Sequence, residues 1–282
     1  MNCTAFFMFP KDEIIIHRCQ DGYGPIVVTE DALTRILYFG SANRQSRMLL
    51  NRPAIPLMQY MQGILAALVF NPAPRHVTIL GLGGGNLASF FLKYIPGCKV
   101  TVVELRSAVI DIAAEFFDFP LSHPDVEIVN ADARDYFVHC RPHSDLMIVD
   151  LFDAHGPSGF VTEEAFLRQC HESVAKQGIV VFNYWNRKQD KVKQFVSKLQ
   201  NINYNGGVLG YEPNPKRGNV ILFSGPFPSI EQTALSIGTK VDILQKEVCL
   251  DLAHVVNELC CYRKAGMWPG IFRQPTRLSS CV

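Results

Sequence analysis

Residues 76–86 read His76-Val-Thr-Ile-Leu-Gly-Leu-Gly-Gly-Gly-Asn86, an apolar run that closes on a glycine loop. Three more apolar runs follow, spaced widely enough to hold a helix between each pair. Lys99-Val-Thr-Val-Val103 ends on Glu104, Val126-Glu-Ile-Val129 leads to Ala131-Asp-Ala133, and Leu146-Met-Ile-Val149 ends in Asp150-Leu-Phe-Asp153. Short, β-branched, uninterrupted runs of this kind are the pattern of strands buried on both faces, as in a parallel sheet. All four finish on glycine or a carboxylate, and the carboxyl ends of an open α/β sheet are where ligands bind. The stretch 76–153 therefore predicts a nucleotide-handling unit built around a bound nucleoside.

Helices are expected over 86–94, 107–117, 133–139, 163–176 and 188–199, with further strands over 178–182 and 219–223. Strands separated by helices of this length imply right-handed crossovers and a mostly parallel sheet. Upstream, Glu13-Ile-Ile-Ile-His17 and Pro25-Ile-Val-Val-Thr29 flank the turn Asp21-Gly-Tyr-Gly24, and an apolar run over 34–39 follows. That is the signature of antiparallel strands. Three units result: an N-terminal β-hairpin subdomain over 1–54, a Rossmann-like cofactor-binding catalytic domain over 55–226, and a helical extension over 227–282. The catalytic domain opens with a helix over 55–70, and the extension carries a helical region over 229–262.

Composition narrows the class. With 27 basic and 26 acidic residues and a formal charge of +1, the chain carries no electrostatic footprint for nucleic acid. No window approaches the ~18–20 uninterrupted apolar residues of a membrane span. The apolar N-terminus lacks a basic leader and meets Lys11-Asp-Glu13 at once, so it reads as a strand rather than a signal peptide. Nine scattered cysteines with no Cys-x-x-Cys pair argue against a disulfide framework or a metal site. Reduced thiols in a cytoplasmic protein are expected.

Gly81, Gly83 and Gly85 lie where glycine permits positive φ and close approach of backbone to ligand. The helix N-terminus beyond them offers free N–H groups. Taken alone, this loop suits NAD, FAD or S-adenosylmethionine equally. Glu104, roughly 20 residues on, is placed to accept hydrogen bonds from ribose hydroxyls, or else is an exposed acid ending a strand. Asp132 falls near the edge of an adenine ring, or N-caps the helix from Ala133, or does both. Asp150 and Asp153 flank a strand exit ahead of a Gly156-Pro157 turn. Two carboxylates beside a sulfonium nucleoside suit attack of an amine on carbon, since they can hold the cation and one can take its proton. The plainer reading has Asp153 capping a turn and Asp150 holding a loop N–H. Asn183-Tyr-Trp185 can line an acceptor pocket or pack as core, and His155 is a proton-transfer candidate or a solvated loop residue. Arg44 and Arg47 either meet a cofactor carboxylate or solvate a strand edge.

These pieces together resemble the spermidine synthase family of aminopropyltransferases. The matching segments are Ile79-Leu-Gly-Leu-Gly-Gly-Gly85, Val102-Val-Glu-Leu105, Ala131-Asp-Ala133, Ile148-Val-Asp-Leu-Phe-Asp153, Gly156-Pro157 and Thr162-Glu-Glu164, with Tyr38-Phe-Gly-Ser-Ala-Asn-Arg-Gln-Ser46 as the family's cofactor-side hairpin. The resemblance spans about residues 20–225. It implies an α/β fold, a Rossmann-like, mostly parallel seven-stranded sheet of class I methyltransferase type with a small N-terminal antiparallel β subdomain. It implies decarboxylated S-adenosylmethionine as the donor, with no metal. Gln45, the loop glycines Gly81, Gly83, Gly84 and Gly85, Glu104 on the ribose, Leu105 against the adenine, and Asp132, Ala133 and Asp150 would surround it.

The acceptor implied is a small-molecule amine such as putrescine, gripped by Tyr60, Gln62 and Asp153, with Asp150 orienting and deprotonating the attacking nitrogen. A homodimer or tetramer is expected on the same ground. The chain departs from the family pattern twice. Gly84 stands where relatives usually carry an aspartate that holds the aminopropyl ammonium and repels an ordinary S-adenosylmethionine carboxylate, and Gln62 stands in place of a glutamate. The first departure favours an alternative, a methyltransferase using ordinary S-adenosylmethionine. The retained Asp150 and Asp153 favour aminopropyl transfer and oppose a non-catalytic family member.

Overall fold

The alternating runs before residue 50 fold as an antiparallel meander of β1 (Ile14–Asp21), β2 (Gly24–Glu30), β3 (Thr34–Tyr38) and β4 (Arg44–Leu49). Side chains alternate across it as a period of two requires. Ile26 and Val28 enter the main core, while Val27 packs with Ile36 and Tyr38 in a small cluster on the other face. The computed structural model describes residues 9–139, 143–185, 189–203, 206–213, 218–227 and 252–262.

The helix expected over 55–70 is two short ones, α1 (Gln59–Leu65) and α2 (Ala67–Phe70), meeting at Ala66. Pro56 disfavours helical backbone at Ile55, so the helix cannot begin there. α1 lies tight against the second sheet through Gly63. A Cβ at that position would stand 2.8 Å from Tyr211 Cδ1 and 3.0 Å from Ile221 Cγ1.

Among the described residues that second sheet has eight strands, one more than the seven expected. They are β5 (His76–Leu80), β6 (Lys99–Glu104), β7 (Val126–Asn130), β8 (Ser144–Val149), β9 (Val174–Trp185), β10 (Gly207–Tyr211), β11 (Asn219–Gly225) and β12 (Cys260–Tyr262). Their spatial order is β12-β10-β11-β9-β8-β5-β6-β7. The five strands from β9 to β7 run parallel, and β11, β10 and β12 join antiparallel. The eighth strand is Cys260-Cys261-Tyr262, which pairs with the open edge of β10 instead of ending a helix. Of the helical region expected over 229–262, residues 229–251 lie outside the described residues. The part that is described holds α8 (Leu252–Asn257).

The intervening helices are α3 (Asn86–Tyr94), α4 (Ser107–Phe116), α5 (Ala133–His139), α6 (Glu164–Glu172) and α7 (Gln189–Ile202). α6 stops short of the expected residue 176 because Val174 pairs with Ser144 and starts β9 early. The sheet separates two core layers by residue parity. Ile79, Val102, Ile148, Val181 and Ile221 face one layer, and Leu80, Val103, Met147, Val180 and Leu222 face the other. From β5 the chain steps to β6 and β7, then returns to lay β8 on the opposite side of β5. The crevice above β5 and β8 is thus the topological switch point, where open α/β sheets bind ligands. Among the described residues no helix is long and apolar enough to cross a membrane.

Candidate active site

Leu80 and Val149 are register partners at the ends of β5 and β8. One residue on, the Asp150 N–H donates to the Leu80 carbonyl at 2.9 Å. Gly81 turns away with φ +98°, and a Cβ there would lie 2.3 Å from the Asp150 carbonyl oxygen. Only glycine fits both the conformation and the contact, so the glycine loop and Asp150 are fixed to one another.

Asp150 lies at the floor of a cavity of about 1380 Å³. Its Oδ1 accepts from Asn183 Nδ2 at 2.7 Å, and Asn183 Oδ1 in turn accepts from Asn219 Nδ2 at 2.7 Å. Its Oδ2 accepts from the Tyr60 hydroxyl at 3.3 Å. Burial pushes the Asp150 carboxyl up to about 6, against the opposing pull of Asn183 and Tyr60. Burial also drives the Tyr60 phenol well above its ordinary value, with the Asp150 charge adding to it. Tyr60 reaches this place because Gly63, one turn further along α1, lets the helix approach the sheet. A carboxylate poised near neutrality with one oxygen turned to a hydroxyl is equipped to accept a proton.

At the end of β6, Glu104 is 8% exposed. Its Oε2 accepts from the Leu82 N–H and its Oε1 from the Arg106 N–H, both at 2.9 Å. It thereby ties the glycine loop to the neighbouring strand. Burial raises its carboxyl, and these N–H donors counter the rise. Each oxygen keeps capacity for a second donor, as a vicinal diol would need. Arg106 reaches back to the β1–β2 turn. Its guanidinium grips Asp21 through two bonds of 2.9 and 2.8 Å, meets the Gly24 carbonyl at 2.9 Å, and lies 4.6 Å from the Phe39 ring.

Asp153 is exposed, and its Oδ1 accepts from the His155 and Gly156 N–H groups at 2.7 and 3.0 Å. It therefore caps a turn, as its plainer reading holds. Its carbonyl accepts from Gln45 Nε2 at 3.3 Å, which ties β4 to this loop. Arg44 is bound to Glu13 Oε1 at 3.0 Å and to the Tyr38 hydroxyl at 3.3 Å. Arg47 is bound to Thr34 at 3.1 Å, the strand-edge role.

The cavity gathers Gln45, Tyr60, Gly81, Gly83, Glu104, Leu105, Asp150 and Asp153 on one surface. Gln62, Gly84, Gly85, Asp132 and Ala133 are not among its lining residues. Asp132 spends both oxygens on Arg134. Its Oδ1 also accepts the Arg134 N–H at 2.8 Å, which is the N-cap bond, and the arginine holds its carboxyl below the ordinary value. Gly84 donates its N–H to Ser46 Oγ at 2.8 Å. A Cβ there would lie 2.8 Å from Phe117 Cδ1 and 3.1 Å from Ser46 Cβ. The space an acid would need is filled by a buried ring. Tyr23, Arg106 and Asn219 also line the cavity, beyond the residues expected from sequence. Arg106 stands two residues after Glu104 and is thereby marked in the sequence; Asn219 carries no such local mark.

The chain is similar to known proteins in sequence and in fold. A family model described as the spermine/spermidine synthase domain matches residues 61–203. A polyamine aminopropyltransferase of Neisseria meningitidis serogroup A is 30% identical over 241 residues, covering 85% of this chain and 90% of that protein. Among solved structures, a probable spermidine synthase from Corynebacterium glutamicum superposes with a TM-score of 0.68 at 24% identity, covering 79% of this chain and 86% of that one. A spermidine synthase in complex with the transition state analogue AdoDATO gives a TM-score of 0.60 at 18% identity, covering 84% and 88%.

Proposed function

The chain belongs to the spermine/spermidine synthase family, and from that membership we infer that it is an aminopropyltransferase of polyamine biosynthesis. Its donor is of the S-adenosylmethionine type, and we assign the decarboxylated form to it, with a small polyamine amine as acceptor. The observation that carries the catalytic part of this reading is Asp150, a carboxyl near 6 at the switch point of the sheet. An amine is protonated at neutral pH and becomes a nucleophile only on losing that proton. Above pH 6 Asp150 is the base within reach, its Oδ1 held by Asn183 and its Oδ2 beside Tyr60. The donor supplies an activated carbon–sulfur bond whose electron pair leaves with sulfur as nitrogen attacks. The protein's share is positioning, exclusion of water and removal of one proton.

Glu104 is the residue we assign to the ribose hydroxyls, with Leu105 beside the base. Asp132 is bonded to Arg134 and lies off the cavity surface, so its N-cap role is better supported than an adenine contact. Tyr60 and Asp153 are assigned to the acceptor, and Gln62 less so, being off the cavity surface. The decarboxylated donor is favoured by the charges on the lining. Glu104, Asp150 and Asp153 face the cavity, while the guanidinium groups there are engaged, Arg44 by Glu13 and Arg106 by Asp21. A donor carboxylate lying toward the acceptor side would meet the like charges of Asp150 and Asp153.

Gly84 alone favours the second reading, a methyltransferase, because the like charge expected in the loop is missing. Calorimetric titration with S-adenosylmethionine, its decarboxylated form and methylthioadenosine separates the two. Tighter binding of the decarboxylated donor is expected, and a preference of about tenfold or more (~1.4 kcal/mol) for the carboxylate-bearing form would sink the aminopropyl assignment.

A further inference from the structure

We propose that Asn219, acting through Asn183, is a positioning residue for the reaction, because it holds the accepting end of the Asn183 amide and so supports the donating end on Asp150. This rests on Asp150 as the proton acceptor. The two asparagines lie on adjacent antiparallel strands, where Asn219 pairs with Trp185 and Ile221 with Asn183. With the strand period of two, both side chains fall on the face covered by α1, diagonal to each other and opposite Tyr60. Asn183 is 2% exposed, so its amide has protein partners only.

An amide has one accepting and one donating end. Asn219 Nδ2 donates to Asn183 Oδ1 at 2.7 Å and so occupies the accepting end. Asn183 is left to turn Nδ2 toward Asp150 Oδ1, also at 2.7 Å. With the amide reversed, two oxygens would face each other at that distance, a repulsion the Asp150 carboxylate could relieve only by taking up a proton. Asn219 therefore reinforces the orientation that supports the carboxylate and leaves Oδ2 to the Tyr60 hydroxyl and the incoming amine. Tyr60 is the titratable group bonded to Asp150. The other ionisable side chains on the cavity surface are Tyr23, Tyr38, Arg44, Glu104, Arg106, Asp153 and His155, and a substitution at 219 changes none of these residues.

The test reads Asp150 directly, with no donor present, so it stands whether or not the aminopropyl assignment survives. Protein labelled with ¹³C at the aspartate carboxyls is titrated by NMR, with Asp150→Asn identifying the resonance. In Asn219→Leu, similar in volume and unable to donate, the Asp150 midpoint should rise by about 1, because an oriented hydrogen bond to the charged form is lost. Turnover, where measured, should then fall several-fold near pH 6.5 and recover at pH 9, a profile that simple loss of strand packing does not give. Asn219→Ala serves if the leucine variant does not fold, and thermal melting shows which one does. A midpoint that stays where it is or moves down in the folded variant overturns the proposal, even if activity falls.

Discussion

Asp150 shows how one side chain carries opposite obligations to stability and to chemistry. Its folded value, about 6, lies above the 3.8 of a free aspartate. The folded state thus binds the proton more tightly than the unfolded one, and stability falls as pH rises between those two values. Above pH 6 the cost is fully present, on the order of 1–3 kcal/mol, and below the unfolded value it vanishes. Asp150→Asn should therefore melt at a higher temperature than the parent at pH 8, with the gap closing toward pH 4. The same variant should lose turnover by about 10²–10⁴-fold, the usual weight of a general base. A variant no more stable than the parent at pH 8 would show that burial does not strain this carboxyl. Asp150 and Glu104 were legible in the sequence because strand ends of a parallel sheet must converge. Asp132 was only half legible, since its rival partner Arg134 stands two residues away and competes for both oxygens.

Among the elements, the β1–β2 turn and the end of β6 are held together by Arg106. Three bonds from one guanidinium to Asp21 and Gly24, with Phe39 beneath, fasten the N-terminal sheet over the Glu104 side of the cavity. Arg106→Met keeps much of the side-chain length and leaves the Asp21 carboxylate without its fork. A loss of about 2–3 kcal/mol is expected, with faster hydrogen exchange across residues 14–30. Arg106→Lys should restore only part of it, because a point charge cannot make the bidentate contact. Exchange unchanged from the parent would mean that strand pairing alone holds the hairpin. The elements misread from sequence were the short antiparallel ones. β10 is five residues long and reads Gly-Val-Leu-Gly-Tyr, and β12 is three residues long, so neither carries enough period to be recognised. β10 is decided by the edge that β11 leaves open and β12 by the edge of β10 in turn, a tertiary fact.

For the molecule as a whole, the main core runs through both sheets and reaches the C-terminal segment. Leu252 is fully buried and Val255 is 3% exposed, packed with α1 and the first core layer. Leu252→Ala should cost about 2–5 kcal/mol, and urea unfolding should show one transition at lower midpoint with an unchanged slope. Two separate transitions would show that α8 and β12 form an independent unit. The parallel half of the fold was legible because its apolar runs, glycines and acids repeat a pattern that physics ties to one topology. The substrate side was less so. Asn183, Asn219 and Arg106 act through partners 33 to 85 positions distant in the chain, and no local pattern announces such a pairing.

Phe117 fills the slot beside Gly84, so the two positions constrain one another. An aspartate at 84 would place its Cβ 2.8 Å from an atom of that buried ring. The ring has to give way before an acid can enter. Substitutions at 84 and 117 should therefore be coupled rather than additive.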